Sequence, residues 1–289
     1  MLFTAVISLA LFSTQLFAQA NVPVNMLVTV ETNNGSVPEI TREDVMVYQG
    51  RTRAKVTDWV PYQGNQAGLE LFVVIEDIPS SSRGSQLEDL ANFIAAQPST
   101  TKVGVAYLQQ GAPQIALAPT TDHEAGAKAV RASLGRLTRP DSPYICVSDL
   151  IKQWPKGTDR REIVMLSNGI DSEAGPMVAQ DDPYLNSTIA LAQREGIAIF
   201  TISTRGVGRY LGRLSDETGG RLYYQASGSA VSIAPYLSDV ATRLDRQYLV
   251  TFLAKPGKEA GLEPVKIKTE VPHAKLVSAD KVYVPATQQ

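Results

Sequence analysis

The sequence is poor in the residues that usually build cross-links and metal sites. Its 289 residues include one cysteine, Cys146, and two histidines. A single thiol excludes an internal disulfide and a zinc site made of thiolates. The chain also lacks a surplus of charge, because 27 basic residues stand against 29 acidic ones. It therefore has no overall field that would attract a polyanion, and nucleic-acid binding is not predicted.

Long apolar runs are also absent beyond the first twenty residues. Residues 1–20 carry no charge, and Leu2 to Phe17 is apolar apart from a few Thr, Ser and Gln. This run is short for a transmembrane helix, and the small-x-small triplet Ala18-Gln19-Ala20 follows it. The pattern predicts a signal peptide that is cleaved after Ala20, with no stable membrane insertion afterwards. A secreted or periplasmic protein is expected; a buried N-terminal helix is the alternative, since the segment has no basic start.

The rest of the sequence shows two patterns of apolar residues. Apolar and polar residues alternate near both ends, as in strands with one buried face. Thr41-Arg42-Glu43-Asp44 predicts a single capped helical turn before the second strand. We expect the two ends to pair into one accessory β module, because neither end alone has enough strands to be stable. The alternating stretches are Val22 to Trp59, Tyr248 to Leu253, Val265 to Thr269 and Val282 to Val284.

Between the ends, strand and helix patterns alternate. Leu71 to Ile75 is a continuous apolar run, typical of a strand buried on both faces. One of the helices begins at Asp122 and is predicted to continue to about Leu137. The alternation predicts an α/β fold with a doubly wound, mostly parallel sheet and helices on both faces, Rossmann-like in type. The predicted organisation is a signal peptide over 1–20, a β segment over 21–66, the α/β domain over 67–246 and a C-terminal β segment over 247–289.

Ligands of doubly wound sheets bind beyond the carboxyl ends of the strands. The first loop in that position reads Glu76-Asp77-Ile78-Pro79-Ser80-Ser81-Ser82-Arg83. A carboxylate followed by hydroxyls offers hard oxygen ligands to a cation such as Mg²⁺.

At this point the sequence resembles the von Willebrand factor type A (VWA) family, from Leu69 to about Arg246. The metal ion-dependent adhesion site of that family has Asp-x-Ser-x-Ser after the first strand, a Thr in a second loop and an Asp in a Thr-Asp-Gly turn. The flanks are similar to those of secreted bacterial VWFA-related proteins, with segments resembling 40–48 and 248–285. The resemblance places the metal ligands at Asp77, Ser81, Ser142, Asn168 and Asp171.

Two positions within these motifs depart from the family pattern. Pro79 replaces the central serine of the first motif, and Asn168 replaces the aspartate of the turn. The first change removes a hydroxyl ligand and the second a carboxylate charge, on which Mg²⁺ affinity depends. We therefore expect a degenerate site with no cofactor, or with weakly bound Mg²⁺. A purely structural interpretation stays open, since serines 80–82 and Ser142 could cap helices and Asn168-Gly169 is a common turn pair.

Signatures of an enzyme are sparse. The glycines 206, 208 and 212 follow a strand, but a dinucleotide loop belongs after the first strand and needs an acidic residue about 20 positions later. No G-x-S-x-G elbow and no H-E-x-x-H pair is present. His123 and His273 have polar neighbours, typical of solvated histidines, and Cys146 lies near an apolar face, typical of a core residue. The protein is not expected to be an enzyme.

The remaining interpretation is a binding module. The resemblance implies that the top of the sheet contacts a protein partner, whose identity the sequence does not give. Alternatives are a structural envelope scaffold without a ligand there and, less favoured, a metal-dependent adhesion domain. The residues predicted to contact the partner are Glu76, Ser80, Ser82, Arg83, Tyr144 and Gly169.

Overall fold

The computed structural model describes residues 21–33, 35–64, 67–76, 84–109, 111–131, 142–171, 173, 181–204, 208–224 and 232–286. The predicted signal peptide, the candidate ligands Asp77 and Ser81, and the candidate contacts Ser80, Ser82 and Arg83 lie outside these residues.

The described ranges contain two sheets and the helices that flank one of them. The strands are β1 (Val22–Thr32), β2 (Val45–Gln49), β3 (Thr52–Pro61), β4 (Leu69–Glu76), β5 (Thr101–Gln109), β6 (Ala112–Thr120), β7 (Arg160–Ser167), β8 (Ala198–Ser203), β9 (Leu222–Tyr224), β10 (Gln247–Ala254), β11 (Gly261–Thr269), β12 (Ala274–Val277) and β13 (Lys281–Val284). The helices are α1 (Gly84–Ala95), α2 (His123–Ala129), α3 (Pro143–Gln153), α4 (Pro183–Glu195), α5 (Arg209–Thr218) and α6 (Ala234–Leu244).

The first sheet is doubly wound, in the order β6-β5-β4-β7-β8-β9. Its strands are parallel except β6, which pairs antiparallel with β5 at the edge. The central strand β4 is covered on both faces: Leu71 and Val73 pack with α1 and α6, whereas Phe72 and Val74 pack with α3, α4 and α5. The predicted mixed α/β fold with a central sheet is confirmed, and its continuous apolar strands follow from this two-sided burial.

The second sheet is antiparallel and joins strands from both ends of the chain. Its order is β12-β1-β10-β3-β2-β11-β13. Alternate residues of β1, such as Val24, Met26 and Val28, face a core that they share with Val250 and Phe252 of β10. The predicted capped turn is confirmed: Thr41 and Asp44 form a capping box around the short 3₁₀ helix Arg42–Asp44.

The helix predicted to run from Asp122 to about Leu137 is shorter than expected where the structure describes it. Asp122 caps α2, but the helix ends at Ala129 and Val130 is extended. The Tyr107 hydroxyl of β5 explains the end, since it donates to the Ala129 carbonyl oxygen at 3.0 Å and accepts from the Arg131 N–H at 2.7 Å. A tertiary contact thus replaces the helical hydrogen bonds after Ala129.

The predicted burial of the two histidines and the cysteine can be compared with the structure. His123 is half-buried and its Nε2 lies 2.7 Å from the Thr101 carbonyl oxygen, so the expectation of a solvated ring was wrong there. The reason is that the first turn of α2 lies against β5. His273 is exposed, and Cys146 is buried among the apolar residues of α3, which confirms its prediction as a core residue. Among the described residues, no helix is both long and apolar enough to cross a membrane.

Candidate functional site

The candidate site lies at the carboxyl ends of the adjacent strands β4 and β7. Glu76 ends β4, and its Oε2 accepts hydrogen bonds from the Ser167 hydroxyl at 2.6 Å and from the Asn168 N–H at 2.7 Å. One carboxylate oxygen thus joins the end of β4 to the turn after β7. Glu76 was predicted as a partner contact; the geometry adds a structural role to this half-buried side chain.

The turn after β7 is fixed by its own polar groups. Ser167 Oγ accepts from the Gly169 N–H at 2.9 Å, and the Asn168 side-chain oxygen accepts from the Ile170 N–H at 2.7 Å. Gly169 has a φ of 70°, and a Cβ there would lie 2.7 Å from Leu211 Cγ. The amide oxygen that would be the cation ligand at this position therefore serves as a turn acceptor.

Ser142 and Asp171, both predicted ligands, meet directly. The Ser142 hydroxyl donates to Asp171 Oδ2 at 2.5 Å and accepts from the Ile145 N–H at 3.4 Å, so it also caps α3. The other oxygen, Asp171 Oδ1, accepts from the Glu173 N–H at 2.9 Å. Both side chains are almost fully buried, at 1% and 7% exposure. The sequence prediction brought together two residues that lie 29 positions apart.

Tyr144 and Gly169 were predicted as partner contacts, and this prediction was wrong for both because neither is exposed. The Tyr144 ring is held between α3 and α5, where it stacks on Tyr210 with 6.1 Å between centroids. Its hydroxyl donates to the Gly169 carbonyl oxygen at 2.8 Å. Burial, and then the nearby carboxylates of Glu76, Asp171 and Asp182, raise the pKa of Tyr144, so it stays a neutral donor.

Three residues of this region were not among the predicted site residues: Ser167, Tyr210 and Asp182. The sequence signal for Asp182 was only that of a helix start before Pro183. Its Oδ1 does accept from the Tyr184 and Leu185 N–H groups at 2.9 Å each. Its Oδ2, however, is buried without a hydrogen-bond partner. This places an unsatisfied carboxylate oxygen near Tyr144, which a capping pattern alone does not indicate.

The described donors do not fit a divalent cation as they stand. Asn168 contributes no charge and its amide oxygen is engaged, while the Ser142 hydroxyl and Asp171 bond to each other. Within the described ranges, no three His, Cys, Asp or Glu side chains are grouped so that they could hold a metal ion. What the arrangement can do is fix the end of β4, the start of α3 and the turn after β7 relative to one another, so that the exposed residues of the turn are held in a defined position.

Comparison with known proteins gives likeness only at the level of structure. No model of a protein family matches the chain, and no curated protein does. Solved structures do match. The ArnB paralog VWA2 from Sulfolobus acidocaldarius is 9% identical over 91% of this chain and 76% of its own, with a TM-score of 0.45. The SpRpn10 VWA domain is 11% identical over 59% and 94%, with a TM-score of 0.39.

A third structure is the pilus adhesin SpaC from Lactobacillus rhamnosus GG, which is 9% identical. The match covers 84% of this chain and 48% of the adhesin, with a TM-score of 0.46. Likenesses at these identities concern the fold alone. The doubly wound strand order itself agrees with the α/β fold predicted from the sequence.

Proposed function

We propose that the protein is an exported, non-enzymatic module that binds another protein at the carboxyl end of its parallel sheet, without a divalent cation. The region equivalent to the metal ion-dependent adhesion site is, in this proposal, degenerate. The antiparallel sheet is the accessory module, and residues 1–20 are the export signal.

One observation carries the proposal: the described members of the predicted ligand set, Ser142, Asn168 and Asp171, are hydrogen-bonded to the protein itself. Glu76 links β4 to the turn after β7, and Ser142 is bonded to Asp171. These bonds hold the three segments together as a shared cation would. A partner would therefore meet a surface that is already ordered, which lowers the entropic cost of binding.

The exposed part of this surface is small and has an apolar tip. Ile170 is 44% exposed at the end of the turn, between half-buried Asn168 and buried Asp171, and Glu173 beyond it is exposed. A large apolar side chain on a rigid turn is suited to insert into a pocket of a protein partner. Ser80, Ser82 and Arg83 of the first loop complete the proposed surface on the basis of sequence.

Calorimetric titration with Mg²⁺, Mn²⁺ and Ca²⁺ tests the metal part of the proposal. We expect no submillimolar binding. A restored chain, Pro79→Ser with Asn168→Asp, should gain affinity by about tenfold or more, because ligand charge and number tune affinity. Asn168→Ala is the matched control and should gain nothing. Submillimolar binding by the natural chain that Asp77→Ala abolishes would overturn the proposal.

The partner part is tested by capture from envelope extracts with and without a chelator. We expect chelator-insensitive capture that Ile170→Asp abolishes. Ile115 of β6 is 43% exposed and gives a control of equal exposure, so Ile115→Asp should retain capture. Capture that the chelator abolishes would favour metal-dependent adhesion. Equal capture by the two variants, or no capture by the natural chain, would favour a scaffold without a ligand at this surface.

A further inference from the structure

The outer face of the antiparallel sheet carries four cations that are distant in sequence. Arg53 and Lys55 project from β3, and Lys266 and Lys268 project from β11, with β2 between the two strands. The alternation on β3 alone is typical of a solvated strand. Only the strand pairing shows that a second basic strand lies nearby. We call these four residues the basic face.

The register of the sheet sets the spacing of the basic face. Tyr48 of β2 pairs with Arg53 on one side and with Lys266 on the other, so the three form one row. Neighbouring strands lie about 4.8 Å apart, which puts the roots of Arg53 and Lys266 about 10 Å apart. Lys55 and Lys268 are each two residues further along their strands, or about 7 Å. The four cations thus form a flat array over the central Tyr48.

These charges are not neutralised by the sheet itself. All four side chains are exposed, and none takes part in an ion pair with another described residue. Lys268 Nζ lies 5.7 Å from the centroid of the Tyr48 ring. Asp58 of β3 is exposed on the same face, because its partner Thr251 and the partner of Lys55, Leu253, are two residues apart on β10. It lies three residues beyond Lys55 along β3, at the end of the array and not among the four cations. Like charges close together on one face disfavour the folded sheet, and an anionic surface would relieve their repulsion.

The geometry excludes two common ways of recognising a polypeptide. The strands β2 and β3 are hydrogen-bonded on both sides, so an added strand finds no free edge on this face. The exposed large apolar residues of the described ranges are Ile115, Ile170, Tyr224 and Tyr283, and none lies on the basic face. The aromatic residue of the face, Tyr48, is half-buried, with Lys268 Nζ near its ring. Among the described residues the face therefore lacks an exposed apolar anchor for a protein interface and exposed aromatic rings on which bases could stack.

We propose that the basic face rests on anionic lipid headgroups and holds the protein peripherally at a membrane surface. Headgroups rearrange laterally, so attraction needs charge and flatness rather than a shaped pocket. The proposal uses no residue of the proposed protein-binding surface, and it stands or falls separately from it.

Cosedimentation of the purified chain with vesicles tests this proposal. We expect binding to phosphatidylcholine vesicles that contain phosphatidylglycerol, little binding to pure phosphatidylcholine, and loss of binding as salt is raised. Arg53→Gln combined with Lys266→Gln should weaken binding about 25-fold, at about fivefold for each charge removed. Lys128→Gln combined with Lys152→Gln removes the same charge from paired lysines on α2 and α3 and should change it little.

Three results would overturn the proposal. Equal loss in both double variants would mean that net charge alone is responsible. Equal binding to neutral and anionic vesicles would point to the apolar residues 1–20. Tighter binding to polyglutamate or to an oligonucleotide than to anionic vesicles would assign the face to another polyanion. Circular dichroism of the variants checks that these exposed substitutions leave the fold intact.

Discussion

The two sheets of the molecule differ in how their strands are buried. The parallel sheet is covered by helices on both faces, so β4 is almost continuously apolar and β7 is buried along nearly its whole length. The antiparallel sheet buries one face, so β11 alternates buried Val265 and Ile267 with exposed lysines. The comparison teaches that packing on its faces decides what a sheet can present. The parallel sheet, with helices on both faces, has its polar site at the ends of its strands. The antiparallel sheet leaves one face of β11 exposed, and that face carries charged side chains.

The sheets meet at a buried polar junction. Arg160 Nε lies 3.2 Å from Glu162 Oε1, and its guanidinium lies 4.8 Å from the centroid of the Tyr62 ring. Glu162 Oε2 accepts from the Gln247 side chain at 2.8 Å. Burial raises the pKa of Glu162, although Arg160 and Gln247 oppose the rise. The junction thus joins the start of β7 to both segments through which the chain enters and leaves the α/β unit.

The largest effect should come from emptying one core at a time. Phe72→Ala and Phe252→Ala should each lower the free energy of unfolding of their own unit by about 3–5 kcal/mol. The chain has two tryptophans, Trp154 against Phe72 and Trp59 in the antiparallel sheet, so single-tryptophan variants report on each unit by fluorescence. We expect Phe252→Ala to move only the transition seen by Trp59. Equal shifts of both transitions would show instead that the two cores unfold as one.

A smaller effect is expected at the candidate site. Ser142→Ala removes the donor to Asp171 and the cap of α3, and should cost about 1–3 kcal/mol in denaturant unfolding. Ser142→Thr keeps the hydroxyl and should stay closer to the natural chain. If alanine and threonine behave alike, the Ser142–Asp171 bond does not stabilise the site.

The contact between β1 of the antiparallel sheet and helix α6 of the α/β unit should weaken in acid. Burial opposes ionisation of Glu31 on β1, but Arg243 of α6, with Lys275 and Arg221, holds its pKa below the usual 4.5. A carboxyl group whose pKa is lower in the folded protein than in the unfolded chain stabilises the fold at pH values above its usual pKa. This stabilisation is lost as the pH falls through the lower pKa of the folded state. Urea midpoints measured from neutral pH down to about pH 3 should therefore fall less steeply for Glu31→Gln. An unchanged slope would remove Glu31 from the acid response.

The smallest effect is expected at an exposed ion pair. Lys128 and Glu124 pair across one turn of α2, with side chains 73% and 79% exposed. Lys128→Ala should change the free energy of unfolding by less than about 0.5 kcal/mol, because solvent screens such pairs. A larger loss in thermal unfolding would mean that α2 depends on this pair and not on its packing against α1 and β5.

Local pattern predicted much of this fold for reasons that the structure makes plain. Whether one or both faces of a strand are buried can be seen in a few consecutive residues. Apolar and polar residues alternate in β1, whereas β4 is an almost continuous apolar run, so the two kinds of strand could be distinguished from the sequence. The capping box at Thr41 and Asp44 is likewise local. The end of α2 was not predictable in this way, because it depends on a hydroxyl from β5.

The contacts within the candidate site could not be predicted from the sequence. Ser142 and Asp171 meet, as the family resemblance implied, yet the bond between them was not foreseen. The burial of Tyr144 depends on Tyr210, 66 positions later in the chain (210 − 144), which no local pattern connects to it. The basic face has the same origin, since Arg53 and Lys266 become neighbours only through the register of β2.

The place where the chain enters and leaves the α/β unit has a mechanical consequence. The Tyr62 N–H donates to the Gln247 carbonyl oxygen at 2.9 Å, and Pro61 of β3 pairs with Tyr248 of β10. The α/β unit is therefore suspended as a loop from two neighbouring strands. A pulling force applied through β1 and β13 would be borne by the hydrogen bonds of the antiparallel sheet, and the candidate site would keep its geometry until β3 and β10 separated.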